Sequence, residues 1–193
     1  MDDAPSVIIM AGSNGSGKTT AARWLLAEEL GVMEFVNADV IAQGLSGFAP
    51  EKVAVEAGRI MLTRLKELAA ARVTFAFETT LASRTFAPWL RELSHDGYQV
   101  KLNYFWVASP ELSFARVQNR VRKGGHYVDP GTVTRRYKRG LGNFFELYRP
   151  VADVWRMWDN SDPSGPRLIA WGIRESSESC TDPVLWQHIK GGV

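Results

Sequence analysis

Residues 12–19 read Gly12-Ser13-Asn14-Gly15-Ser16-Gly17-Lys18-Thr19 and match G-x-x-x-x-G-K-[ST] without a mismatch. No other stretch constrains the fold as tightly, because the pattern has meaning only between a strand and a helix. The glycines take backbone conformations barred to other residues, so that successive N–H groups converge on one set of phosphate oxygens. Lys18 adds a charge for the outer phosphates of a nucleoside triphosphate such as ATP, and the Thr19 hydroxyl is a ligand for Mg²⁺. A helix beginning at Lys18 turns its positive end to the same anion, with Thr20 in its first turn.

The flanks supply that context. Residues 6–11 are a short apolar, β-branched run that reads as a buried parallel strand. Residues 18–30 read as a helix closed by Gly31. Further along, strands are expected at 34–37, 73–77, 98–107, 154–158 and 167–173. Helices are expected at 50–72, with Val53, Ala57, Ile60, Met61, Leu65 and Leu68 at helical spacing, and at 83–95, interrupted at Pro88. Ser109-Pro110-Glu111 has the make-up of an N-cap, a first-turn proline and a dipole-matching acid, opening a helix to about residue 123. After the loop 124–131 another helix runs to about 147, and a short one is expected near 184–189. Alternating strands and helices predict an α/β fold: a parallel sheet of about five strands wound with helices on both faces, in one domain over 1–193. Its core covers about 6–173, with a helical lid at about 116–145 and a polar tail at 175–193. Ligands of such sheets sit beyond the carboxyl ends of the strands.

Two of those strand ends carry acids. Asp39 follows the second strand in N-A-D, and Glu78 closes the third in F-A-F-E-T-T. An acid after so apolar a run is costly unless it reaches water, metal or substrate at the strand mouth. Asp39 is the preferred general base toward an acceptor hydroxyl. Glu78, with Thr79 and Thr80, would orient the acceptor, and Glu78 is also a candidate for Mg²⁺ through water. The alternative makes Asp39 the N-cap of a helix starting at Val40, and the two roles are compatible.

Eight basic residues and one acid fall within 116–139, a local charge of +7 that leaves −5 for the rest of the chain. Arg116 and Arg120 lie one turn apart on one helix, as do Arg135 and Arg139 on the next. Such a block suits a lid closing over polyphosphate, where arginines stabilise a phosphoryl group in transfer. A solvated surface and a nucleic-acid patch are the competing readings. Gly124 and Gly125 read as hinges, although glycines that merely end a helix look the same. His126 is left out of the catalytic set. Trp155, Trp158 and Trp171 are expected to pack at the sheet edge, and Asp159-Asn160-Ser161 reads equally as a nucleoside contact or a plain turn.

Composition excludes rather than assigns. A net charge of +2 gives no global pull toward nucleic acid or membrane, and the run 7–11 is too short for a signal or spanning helix. One cysteine, Cys180, cannot close an intramolecular disulfide, so a reducing cytoplasm is expected.

With these residues in view, the chain resembles the zeta-toxin family of P-loop kinases, particularly its compact bacterial members. The resemblance rests on G-S-N-G-S-G-K-T-T (12–20), F-V-N-A-D (35–39), F-A-F-E-T-T-L (75–81), S-P-E-L (109–112), R-V-R-K-G-G-H (120–126) and R-R-Y (135–137), within about 7–173. It implies an ATP-dependent kinase for a small-molecule hydroxyl, in the better-known members that of a UDP-N-acetyl sugar. It further implies Asp39 as base, Glu78 at the acceptor, and Arg120, Arg116 and Arg136 as phosphate-gripping lid arginines. The lid does not align residue for residue, and less chain is left for a sugar-nucleotide pocket, so the activity class carries over better than the acceptor. Nothing in the sequence supports toxicity or a dedicated antitoxin. A nucleic-acid 5′-hydroxyl kinase and a non-catalytic nucleotide-binding module are the alternatives.

Overall fold

The computed structural model describes residues 4–125, 127–174 and 177–192. Strand β1 (Ser6–Ala11) is buried along its whole length, as the apolar run from Val7 to Ala11 requires. Val7, Ile9 and Ala11 enter the larger core cluster while Ile8 and Met10 enter a second one, so both faces of the sheet are covered. The strand is flanked in parallel by β3 (Phe75–Thr79) and β4 (Gln99–Trp106). Beyond β3 lies β2 (Phe35–Val36), and beyond β4 lies β5 (Val154–Asp159), both parallel. The sheet continues antiparallel with β6 (Arg167–Ile173) and β7 (Ser177–Cys180). The order is β2-β3-β1-β4-β5-β6-β7, seven strands rather than about five.

Helix α1 (Lys18–Ala22) follows the loop and continues as a π-helical segment to Glu29, with Gly31 at a left-handed φ of 63°. Helix α2 (Ala38–Leu45) starts two residues earlier than expected. Its cap is Asn37, whose side chain accepts from the Asp39 N–H at 2.8 Å, so the cap role proposed for Asp39 is corrected. Helix α3 (Ala54–Ala70) buries Ala57, Met61, Leu65 and Leu68, leaving Ile60 40% exposed. Helix α4 (Phe86–His95) is not interrupted at Pro88; the proline falls in the first turn, where its missing N–H has no intrahelical partner to lose.

Helices α5 (Pro110–Arg122) and α6 (Pro130–Asn143) are capped by Ser109 and Asp129, and α6 passes into a π-helical turn, Phe144–Tyr148. The expected polar tail is instead built into the fold. Helix α7 (Pro183–Gly191) buries Trp186, which stacks on Trp155 at 5.6 Å between ring centroids. Glu178 of β7 accepts from Trp186 Nε1 at 2.7 Å and pairs with Arg149. Trp155 is therefore core, not edge, because β6 and β7 lie outside it. No helix among the described residues is long and apolar enough to cross a membrane.

Strand register brings the chemistry to one rim. Met10 pairs with Glu78 and Ala11 with Thr79, so Glu78 reaches the level of the loop that begins at Gly12. Val36 pairs with Phe77, which sets Asn37 beside Glu78, and Trp106 pairs with Asp159, which sets Asn160 at the same rim on the other side.

Candidate active site

The loop from Gly12 to Gly17 is held against three different elements, at Gly12 and Gly15 against backbone and at Gly17 against a side chain. A Cβ on Gly12 would stand 2.3 Å from the Phe105 carbonyl of β4, and one on Gly15 would stand 2.3 Å from the Ser113 carbonyl of α5. A Cβ on Gly17 would stand 2.2 Å from Asn160 Nδ2 after β5. All three also have φ between 79° and 141°, conformations that side chains resist. Gly17 caps α1 without any side-chain acceptor, and no acid lies in the first turn. The first N–H groups of that helix are left for an anion.

Around this loop lies a cleft of about 470 Å³. Lys18, 5% exposed, donates to the Ser13 carbonyl at 2.7 Å, and its Nζ is 3.6 Å from Glu78 Oε1. The other oxygen of Glu78 accepts from Thr19 Oγ1 at 2.8 Å and from Asn37 Nδ2 at 2.9 Å. Burial lowers the Lys18 pKa from its ordinary value, against the opposing pull of Glu78 and Asp39. Asp39, in the first turn of α2 with its side chain 45% exposed, stands 3.9 Å from Arg120 Nη1 across the cleft.

The basic helices divide the expected lid arginines by task. Arg120 lines the cleft together with Asn119 and Lys123. Arg116 lines it too, but its guanidinium donates to the carbonyls of Asn160 at 2.6 Å and Ser161 at 2.8 Å. Arg136 donates to Asn14 Oδ1 at 3.1 Å, and the Ser13 and Ser113 hydroxyls share a buried hydrogen bond of 2.8 Å. The first half of α5 and the middle of α6 are thus fastened to the phosphate loop. Gly125 packs on its own helix, where a Cβ would stand 2.5 Å from Arg120 Cγ. His126 lies outside the described residues.

Thr79 and Thr80 do not line the cleft. Their hydroxyls accept from the Leu81 and Ala82 N–H groups in the turn that ends β3. Gly140 of α6 meets the Thr80 carbonyl so closely that its own Cβ would lie at 2.3 Å. Sequence reasoning missed Asn37, and at Asn160 it missed the contact with the loop. Asn37 caps α2 and donates to Glu78, and Asn160 donates to the Ser16 carbonyl at 2.7 Å. The N-A-D string held the Asn37 signal, since an Asn two residues before an orphan helical N–H is a favoured cap. Asp159 turns the chain at Ser161, accepting from both its N–H and its hydroxyl, which makes Asp159-Asn160-Ser161 a turn that buttresses the loop.

A mostly parallel sheet wound on both faces, with a phosphate loop after its central strand, defines a P-loop protein of the kinase type. A family model described as Zeta toxin matches residues 1–156, and the chain belongs to that family. An uncharacterized protein of Haemophilus influenzae is 28% identical over 130 residues, 67% of this chain and 91% of that one. Among solved structures, the AvrRxo1-ORF1:ORF2 complex with ATP is similar with a TM-score of 0.77 at 16% identity, covering 97% of this chain. This chain spans 64% of that one. The PezAT chromosomal toxin–antitoxin system of Streptococcus pneumoniae is similar with a TM-score of 0.67 at 15% identity, covering 99% of this chain and 86% of that one.

Proposed function

We propose that this chain is an ATP-dependent kinase that transfers the terminal phosphoryl group to a hydroxyl of a small molecule. What carries the reading is a convergence: Lys18, Asp39, Glu78 and Arg120, from four separate elements, line one cleft on the phosphate loop. A neighbour solved with ATP supports ATP as the nucleotide.

In this reading the loop N–H groups and Lys18 hold the polyphosphate, and Arg120 answers the charge that develops on the group in transfer. Asp39, open to the acceptor side of the cleft, takes the hydroxyl proton. The acceptor oxygen bonds to phosphorus as the bridging P–O bond breaks, and ADP leaves. The donor set fits Mg²⁺. Among the described residues no three acids, histidines or cysteines cluster as a full protein cage. A hydroxyl and a carboxylate 2.8 Å apart beside the loop suit an ion that keeps its waters and binds phosphates. Thr19 would hold it directly and Glu78 through water, and it would neutralise charge on the outer phosphates.

Arg116 and Arg136 already direct their guanidinium groups to loop and turn acceptors, which shortens the basic track a nucleic-acid strand would need and favours a small acceptor. Family membership supports a UDP-N-acetyl sugar as the first acceptor to try. The neighbouring toxin–antitoxin system supports a search for a proteinaceous inhibitor as partner.

The test is a screen of cell-extract metabolites with γ-labelled ATP. Wild type labels an acceptor, and Asp39→Asn binds ATP with unchanged affinity but labels none. The kinase reading fails if wild type binds ATP and labels nothing, or if Asp39→Asn transfers at the wild-type rate.

A further inference from the structure

The side chain of Asn37 joins the two acids of the site. Its Nδ2 donates to Glu78 Oε2 at 2.9 Å, and its Oδ1 accepts from the Asp39 N–H at 2.8 Å. The same Glu78 oxygen accepts from Thr19 Oγ1, so hydrogen bonds run from the phosphate loop through Glu78 and Asn37 to the backbone of Asp39. Asn37 is 6% exposed and the Glu78 side chain 10%, which shields these bonds from water. Asn37 is not among the residues that line the cleft; it borders a separate cavity of about 520 Å³ between β2, α2 and α3. Whatever it does for chemistry in the cleft, it does through its neighbours.

Backbone pairing alone holds Asp39 loosely. Strand β2 has two residues, and its ladder with β3 has two pairs, Phe35 with Ala76 and Val36 with Phe77. The bond from Asn37 to Glu78 adds a third tie one residue further on, made by a side chain where the ladder stops. Helix α2 begins at the next residue, so the direction of its first turn, and with it of Asp39, is set at this tie. The ion pair between Asp39 and Arg120, at 3.9 Å, is too long to be a hydrogen bond and comes from another element. Residue type matters here. The carboxylate requires a donor and the helical N–H an acceptor, and an amide supplies both. Asp and Ser are caps as good as Asn, but Asp would set a second carboxylate against Glu78 and Ser lacks the atom that reaches it.

We propose that Asn37 is a positioning residue for phosphoryl transfer, fixing the first turn of α2, and so the Asp39 carboxylate, against Glu78 and the phosphate loop. The inference rests on the kinase reading above and adds to it a residue that touches neither nucleotide nor acceptor. A reacting group misplaced by about 1 Å loses up to about a hundredfold in rate. ATP, held by the loop and Lys18, is bound as before, so the loss falls on the transfer step.

The experiment measures, over a range of ATP concentrations, the initial rate of label transfer from γ-labelled ATP to the acceptor that wild type labels in cell extract. Asn37→Asp and Asn37→Ser keep the cap and lose the donor to Glu78. Ala42→Gly loosens the same helix through its backbone and touches neither carboxylate, so it serves as the control for a merely structural role. At saturating ATP both Asn37 variants should transfer about tenfold more slowly or worse, with KM for ATP within about twofold of wild type. Asn37→Asp, with its added charge beside Glu78, should be the slower. Ala42→Gly should melt lower than wild type yet transfer within about twofold of its rate. The positioning role is overturned if Asn37→Asp or Asn37→Ser transfers at the wild-type rate, if the loss is confined to KM for ATP, or if Ala42→Gly loses as much. A wild type that labels no acceptor fails the kinase reading itself and takes this role with it. A wild type that labels, beside variants that label equally fast, removes Asn37 alone.

Discussion

Lys18 Nζ stands 3.6 Å from Glu78 Oε1, with only 5% and 10% of the two side chains exposed. The pair joins the loop after β1 to the end of β3, and it gives Glu78 a structural role besides any in catalysis. Breaking one half leaves a desolvated charge, which is worse than losing both halves. Glu78→Gln should therefore cost about 3 kcal/mol, the low end for such pairs because the Ser13 carbonyl still accepts from Lys18. For a chain of this size that is a fall in melting temperature of roughly 6–12 °C. Adding Lys18→Met to Glu78→Gln should recover most of the loss. Calorimetric melting of the two single variants and the double decides it, and equal melting of Glu78→Gln and wild type would remove the pair as a stabilising unit.

Asn160 connects the opposite rim. Its Nδ2 donates to the Ser16 carbonyl at 2.7 Å while its own carbonyl accepts from Arg116 at 2.6 Å. Truncation to Ala loses one hydrogen bond to the loop, worth about 1 kcal/mol, and should weaken ATP binding roughly fivefold. Asn160→Asp keeps the shape but turns a carboxylate oxygen on the Ser16 carbonyl and adds charge near the phosphates, so it should be the worse of the two. Arg116→Ala should shift ATP affinity in the same direction through the turn it holds. Titration calorimetry with ATP reads all three; wild-type affinity in both Asn160 variants would leave the contact without a role in the loop.

The glycines of the region are not equivalent. Gly15→Ala drives a Cβ to 2.3 Å from the Ser113 carbonyl, backbone that cannot swing aside, so ATP binding should be lost along with the loop geometry. Gly124 also has a left-handed φ, of 83°, but nothing lies within 4 Å of its missing Cβ. Gly124→Ala should therefore cost only the backbone penalty, about 1–2 kcal/mol, and keep ATP affinity. Measuring melting temperature and ATP affinity on both variants separates crowding from conformation. Comparable ATP affinity in the two would mean that the approach of Ser113 does not shape the loop.

Local pattern made much of this architecture legible. The extent of β1 follows from the apolar run Val7 to Ala11, closed by Gly12. Ser109-Pro110-Glu111 announced its helix, and Ser109 Oγ does accept from the Leu112 N–H at 3.1 Å. What stayed hidden depends on partners far away in the chain. Asn160 and Ser16 are 144 residues apart, so no local reading links that turn to the loop. Strand β7 is short and polar, and it is a strand because β6 offers it an edge. Thr79 and Thr80 followed Glu78 in sequence and were read with it, but the turn at Leu81, whose φ is 55°, takes their hydroxyls inward.

The protonation of Lys18 gives the site a pH signature. Its pKa in the free protein is lowered by burial, with Glu78 and Asp39 opposing. A polyphosphate beside the ammonium adds negative charge and favours the protonated form, so bound ATP raises the pKa back toward its ordinary value. Between the free and the bound pKa, binding must therefore take up a proton, and ATP affinity must fall as pH rises through the lowered value. Below that window Lys18 is charged in both states and no proton from this group is exchanged. Titration calorimetry across a range of pH, in buffers of differing ionisation enthalpy, measures the uptake directly. In wild type the uptake should be greatest midway between the free and bound pKa values and fall away on either side. Lys18→Arg keeps a charge that does not titrate in this range and should bind ATP without that linked uptake. Equal proton uptake in Lys18→Arg and wild type would assign the linkage to another group and separate the buried ammonium from nucleotide binding.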